Sequence, residues 1–221
     1  MEWFVSALMT GVTSFIATNI DDIVILMVFF AQVNDRLRPQ HIIAGQYLGF
    51  ILLLLACLPG FLGGLFLPKA WIGLLGLLPI VIGIKHGWEW QQEDPSVQTV
   101  AEEVMSNLDS EAAIVGLAAL LHPKIYHVAA VTFANGGDNI GIYVPLFASS
   151  NLPSLIVIVG VFLSLVAVWC GIAYYLASHP TIAPFLSRYA HRVVPFILIG
   201  LGLYILIENR SYRLLPAFSA G

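Results

Sequence analysis

The chain has 221 residues, 59% of them apolar and only 10% charged, and its mean hydropathy is +0.89. This usage excludes an ordinary soluble domain and makes a lipid bilayer the working solvent. The formal charge of -4 comes largely from Glu89 to Glu111, which holds seven acids and no Lys or Arg, so no nucleic-acid partner is expected.

Several apolar runs exceed the roughly 20 residues that a helix needs to cross about 30 Å of hydrocarbon, whereas membrane strands would be short and alternating. The expected class is an all-α membrane protein. The first span, over 5–33, is longer than a signal-peptide core and has no basic residue before it, so it reads as retained. Asn34 to Pro39 closes it, and a second span follows over 41–67. Leu67-Pro68-Lys69 separates that from a third span over 70–88. A long connector over 89–124 is acidic at first, then apolar from Ala112 to Leu121, too short to cross and read as an interfacial helix. The remaining spans are expected at 125–149, 154–177 and 192–208, with Asn151-Leu152-Pro153 between the fourth and fifth. With the N-terminus outside, Arg36, Arg38, Lys85, Lys124, Arg188 and Arg192 lie on the cytoplasmic side, against Lys69, Arg210 and Arg213 outside.

Self-similarity divides the six spans. Ala17-Thr-Asn-Ile-Asp21-Asp22-Ile23-Val-Ile25 through Phe30 matches Ala134-Asn-Gly-Gly-Asp138-Asn139-Ile140-Gly-Ile142 through Phe147 at an offset of 117, and Gly83 and Gly200 share that offset. The domains are therefore read as a first three-helix half over 1–88, the connector over 89–124 and a second three-helix half over 125–221. An odd number of spans per half turns the second half upside down. Such inverted repeats bind substrate near the midplane, on interrupted helices, and Thr18-Asn19 and Gly136-Gly137 supply the interruptions.

Asp21 and Asp22 fall near the centre of the first span, and Asp138 with Asn139 near the centre of the fourth. A central Asp opposes insertion by about 2.5–3.5 kcal/mol, so stability alone does not account for these acids. One account is that they are protonated and hydrogen-bonded to neighbouring helices. The other is that oxygens of Asp21, Asp22, Asp138, Asn19 and Asn139 replace the water shell of a divalent cation. Neighbouring residues diverge by about 100° around a helix, so Asp21 and Asp22 share one cavity only if the backbone opens between them. Asp21 and Asp138 are the principal expected ligands, with Asp22 a further ligand or a proton carrier. Paired carboxylates take up protons as metal leaves, which makes protons the expected counter-ion.

Weaker candidates surround these. Lys85 reads equally as a counter-charge to the acids or as a cation snorkelling to the interface. Glu208 resembles an interfacial acid, Cys57 and Cys170 read as small hydrophobes or soft ligands, and His86, His122 and His127 flank the long connector. Gln46 and Tyr47 read as helix packing, and Gly60, Gly63 and Gly64 permit close helix contact within a protomer or in a homo-oligomer. No catalytic residue and no resident cofactor is expected.

Thr18-Asn-Ile-Asp-Asp-Ile-Val-Ile-Leu-Met-Val-Phe-Phe30, Gly45-Gln-Tyr-Leu-Gly49, Leu74 to Lys85, Gly136-Gly-Asp-Asn-Ile-Gly-Ile-Tyr-Val-Pro145 and Ile207-Glu-Asn209 resemble the CadD-type cadmium resistance transporters of bacteria, within the LysE-like exporter superfamily. The resemblance implies a multi-pass protein of the bacterial plasma membrane that exports cadmium or a similar divalent ion. It carries the acidic motifs to Asp21, Asp22, Asp138 and Asn139, and the Gly-Ile-Lys ending to Lys85. The competing functions are export of an amino acid or other organic cation, with Phe15, Phe133 and Tyr143 as aromatic walls, a membrane metal buffer, and an intramembrane aspartyl protease. The protease pattern of Tyr-Asp plus Gly-x-Gly-Asp is not met, since the positions read Asn19-Ile-Asp and Asn135-Gly-Gly-Asp.

Overall fold

The computed structural model describes residues 2–34, 37–89, 123–177 and 183–211. The interfacial helix expected within 89–124 lies almost wholly outside these residues. Among the described residues every regular element is helical: α1 (Glu2–Asn19), α2 (Asp22–Ala31), α3 (Pro39–Phe66), α4 (Lys69–Leu74), α5 (Leu77–Glu89), α6 (Pro123–Asn135), α7 (Ile140–Ser149), α8 (Leu152–Ala177) and α9 (Ala183–Glu208).

By length and composition α3 and α8 are each able to cross a membrane, and α1 with α2 forms a third candidate span bent by 60° at its break. The fourth expected span is likewise divided, into α6 and α7, and the third into α4 and α5. Apolar side chains such as Leu55, Leu65 and Phe66 on α3, Ile156 and Tyr175 on α8, and Phe196 and Ile207 on α9 point outward, as the lipid-facing surface of a membrane protein requires.

The break between α1 and α2 has a local cause. Successive polar side chains bond back to the carbonyl one turn earlier: Ser14 Oγ to Thr10 at 2.6 Å, Thr18 Oγ1 to Ser14 at 2.9 Å and Asn19 Nδ2 to Phe15 at 2.9 Å. Such bonds compete with the backbone ladder and loosen a helix. The ladder restarts when Val24 N–H donates to the Asp21 carbonyl at 2.9 Å. In the second broken helix Gly136-Gly137 weaken the helix, and tight turns replace it, Asn139 N–H reaching Gly136 O at 3.1 Å and Gly141 N–H reaching Asp138 O at 3.0 Å.

α3 packs against α6 and α7, α8 against α1 and α2, and α5 against α9. The core between them is aromatic, with Phe15, Phe50, Phe162 and Tyr143 all buried. Close approach of α3 to its neighbours depends on glycine. A Cβ at Gly49 would sit 2.5 Å from the Ala129 carbonyl oxygen, and one at Gly60 would sit 2.7 Å from that of Val144. These are backbone atoms that cannot rotate aside, so Gly49→Leu is expected to lower stability in detergent by about 1–3 kcal/mol or more, read as a drop in thermal midpoint. An unchanged midpoint would mean that α3 and α6 do not pack this way.

Not every glycine behaves as expected. A Cβ at Gly63 would meet nothing within 4 Å, while Gly60 and Gly64 lie against α7 within the same protomer. The shared offset of Gly83 and Gly200 does not give them like surroundings. Gly83 is buried against α9, with Ile199 Cγ1 at 3.1 Å from its would-be Cβ, whereas Gly200 is exposed with nothing within 4 Å.

Candidate functional site

Because α1 stops at Asn19 and α2 starts at Asp22, the two adjacent acids leave the axis in different directions. Asp21 is exposed in a small pocket, while Asp22 is buried. The pocket is lined by Ala17, Thr18, Ile20 and Asp21 from the first break, Asp138, Asn139 and Ile142 from the second, and Val194 and Leu198 from α9. It holds two carboxylates, a carboxamide and a hydroxyl, and among the described residues no Lys or Arg lines it. Asp21 and Asp138 come to it from opposite breaks, so their charges repel whenever both are ionised.

Asp22 turns away from this pocket. Its Oδ1 accepts from Asn135 Nδ2 at 2.6 Å and its Oδ2 from Gln46 Nε2 at 3.2 Å, while Gln46 Oε1 accepts from Thr132 Oγ1 at 2.6 Å. This network joins α2, α3 and α6, and Gln46 and Thr132 are as buried as Asp22.

A second buried network lies beside the pocket wall. Tyr143 and Thr18 hydroxyls are 2.6 Å apart, Asn19 Nδ2 donates to the Tyr143 hydroxyl at 2.7 Å, and Trp169 Nε1 donates to the Asn19 carbonyl at 2.6 Å. Asn19 Oδ1 is left without a hydrogen-bond partner, the one such buried side-chain atom among the described residues.

Of the five ligands expected from sequence, Asp21, Asp138 and Asn139 therefore meet in one pocket, and Asp22 and Asn19 lie behind it. Lys85 stands on the exposed side of α5 and does not line the pocket. Cys57 and Cys170 are free thiols buried in the apolar core, also away from the lining. His127 lies edge-on to Phe29 at 6.1 Å, Glu208 is exposed at the end of α9, and His122 and the His86 side chain lie outside the described residues. No cluster of three or more His, Cys, Asp or Glu suited to a metal occurs among the described residues. Phe15 and Tyr143 belong to the core and not to the pocket, which has no aromatic wall among the described residues.

Sequence reasoning passed over Thr132, Asn135 and Trp169 and read Gln46 as packing. A signal existed: each is a polar group within an apolar run, where an unpaired donor is expensive and so implies a partner.

Residues 15–218 match the model of a family described as cadmium resistance transporter. No curated protein and no solved structure matches the chain.

Proposed function

The chain belongs to the cadmium resistance transporter family, and from that premise we propose that it exports a cadmium-like divalent cation across the bacterial plasma membrane in exchange for protons. Asp21 and Asp138 are the principal ligands on this reading, assisted by Asn139. The observation that carries it is the meeting of two carboxylates, one from each interrupted helix, in a pocket whose wall holds no basic side chain among the described residues. Two like charges set together in a membrane invite a cation to neutralise them.

We read the architecture as two inverted three-helix halves over 1–88 and 125–221. Reciprocal packing supports this, since α3 embraces the second broken helix and α8 the first, while α5 meets α9. Surroundings also agree at the two breaks: Asp21 and Asp138 are exposed, and Asp22 and Asn139 are buried at the matching next position. The halves then meet at the pocket, where an alternating-access carrier holds its cargo.

The cation fits better than the organic alternative, because the walls are the small aliphatic surfaces of Ala17, Ile20, Ile142, Val194 and Leu198. Asn19 Oδ1, buried and without a hydrogen-bond partner, is kept as a further oxygen donor on this reading. Proteoliposomes holding a cadmium-sensitive dye and a pH dye test the reading. Metal movement accompanied by an opposite proton movement is expected. Binding without flux would establish a buffer instead, and flux without a pH change would remove proton exchange.

A further inference from the structure

We propose that Tyr143 is a positioning residue for the cation pocket, its hydroxyl clamping the end of α1 to α7 and thereby setting Asp21 against Asp138 and Asn139. The inference rests on the reading of that pocket as the cation site.

The ring of Tyr143 is wholly buried, tilted on Phe162 at 4.8 Å, stacked on Phe147 at 6.2 Å and edge-on to Phe50 at 6.4 Å. Three rings share the packing, and the hydroxyl's own hydrogen bonds set where it sits. Tyr143 N–H donates to the Asn139 carbonyl at 2.8 Å, so the residue moves with the first turn of α7 and with Asn139 itself. On the other side, Thr18 and Asn19 are the last residues of α1, immediately before Ile20 and Asp21.

Counting protons gives a consistent set of directions. The Thr18 hydroxyl donates to the Ser14 carbonyl at 2.9 Å, which leaves its oxygen to accept from Tyr143. One Asn19 Nδ2 hydrogen is shared between the Tyr143 and Thr18 oxygens, at 2.7 and 2.8 Å, and the other goes to the Phe15 carbonyl. Trp169 holds the Asn19 carbonyl, one of those the end of a helix leaves without an internal partner. Both Asn19 hydrogens are thus committed and its Oδ1 is stranded. A buried oxygen left unpaired is rare and calls for an explanation. Here the clamp dictates the side chain's orientation.

The clamp joins the two broken helices through one hydroxyl, whereas the carboxylates themselves repel. Without it, α1 and α7 would splay under that repulsion. Tyr143→Phe keeps the ring and deletes the hydroxyl. In the cadmium flux assay the expected result is a KM raised about three- to tenfold, the equivalent of one hydrogen bond, with the maximal rate within about twofold. Trp169→Phe, which loses the N–H donor together with one ring of the indole, should shift KM in the same direction. Phe147→Leu perturbs the same aromatic cluster without touching the clamp and should leave KM near wild type.

An unchanged KM in both clamp variants overturns the proposal, as does an equal KM shift in Phe147→Leu, which would reduce Tyr143 to packing. If Tyr143→Phe does not accumulate, the Trp169→Phe comparison decides alone. Asp138→Asn in the same vesicles separates the two levels. Loss of flux there with an unchanged Tyr143→Phe KM removes the clamp and keeps the pocket, whereas intact flux in Asp138→Asn removes the pocket reading itself.

Discussion

Asp138→Asn is expected to cut cadmium flux at least about tenfold without lowering the thermal midpoint of the purified protein. The residue is exposed in the pocket, so a neutral isostere disturbs no packing. It removes one of the two charges that offset dehydration of the ion, and an amide oxygen is a weaker donor for a divalent cation. Asp21→Asn should do the same from the opposite helix. Because the pair acts on one ion, the double variant should be little worse than either single one, the non-additivity expected of groups that work as a unit. Retention of more than half the wild-type flux by either single variant, at matched protein per vesicle, would contradict the assignment of that acid as a principal ligand.

Asp22→Ala should show the reverse pattern, a loss of stability ahead of any defect in binding. Both carboxylate oxygens accept hydrogen bonds, from Asn135 and Gln46, in a setting where Asp22 is only 5% exposed. Truncation strands two amide donors and frees Thr132 and Gln46 to drift. A buried donor left without its partner costs about 1–3 kcal/mol, and two are stranded here, so a net loss of about 2–4 kcal/mol is expected. The measurement is thermal unfolding in detergent, with Asp21→Ala alongside. If the two variants melt together, the division of labour between the adjacent acids is wrong.

That division marks where sequence reading stopped. Rigid helical geometry implied that Asp21 and Asp22 share a cavity only if the backbone opens. The backbone does open, yet the opening sends the two acids apart. Asp21 faces the pocket with Asp138, and Asp22 is held by Gln46 and by Asn135, whose amide also reaches Asp21. Both breaks fall where Thr18-Asn19 and Gly136-Gly137 predict interruptions, since those are local events, and the offset of 117 relates Asp21 to Asp138. It did not extend to the surroundings of Gly83 and Gly200. Rotation of α5 and α9 about their axes depends on what each packs against.

The amino-acid sequence by itself determined the apolar solvent and the helical class, because hydropathy summed along a run measures transfer into lipid. It also determined where two helices are interrupted, because side chains bonding to their own backbone act over a single turn. Only the tertiary structure decided which acid faces the pocket, that Gln46 and Asn135 hold the other, that Lys85 stands apart, and that Tyr143 ties the two breaks together. Those outcomes depend on helix rotation and on contacts between residues more than a hundred positions apart, and a carboxylate's partners are set by geometry that no local window contains.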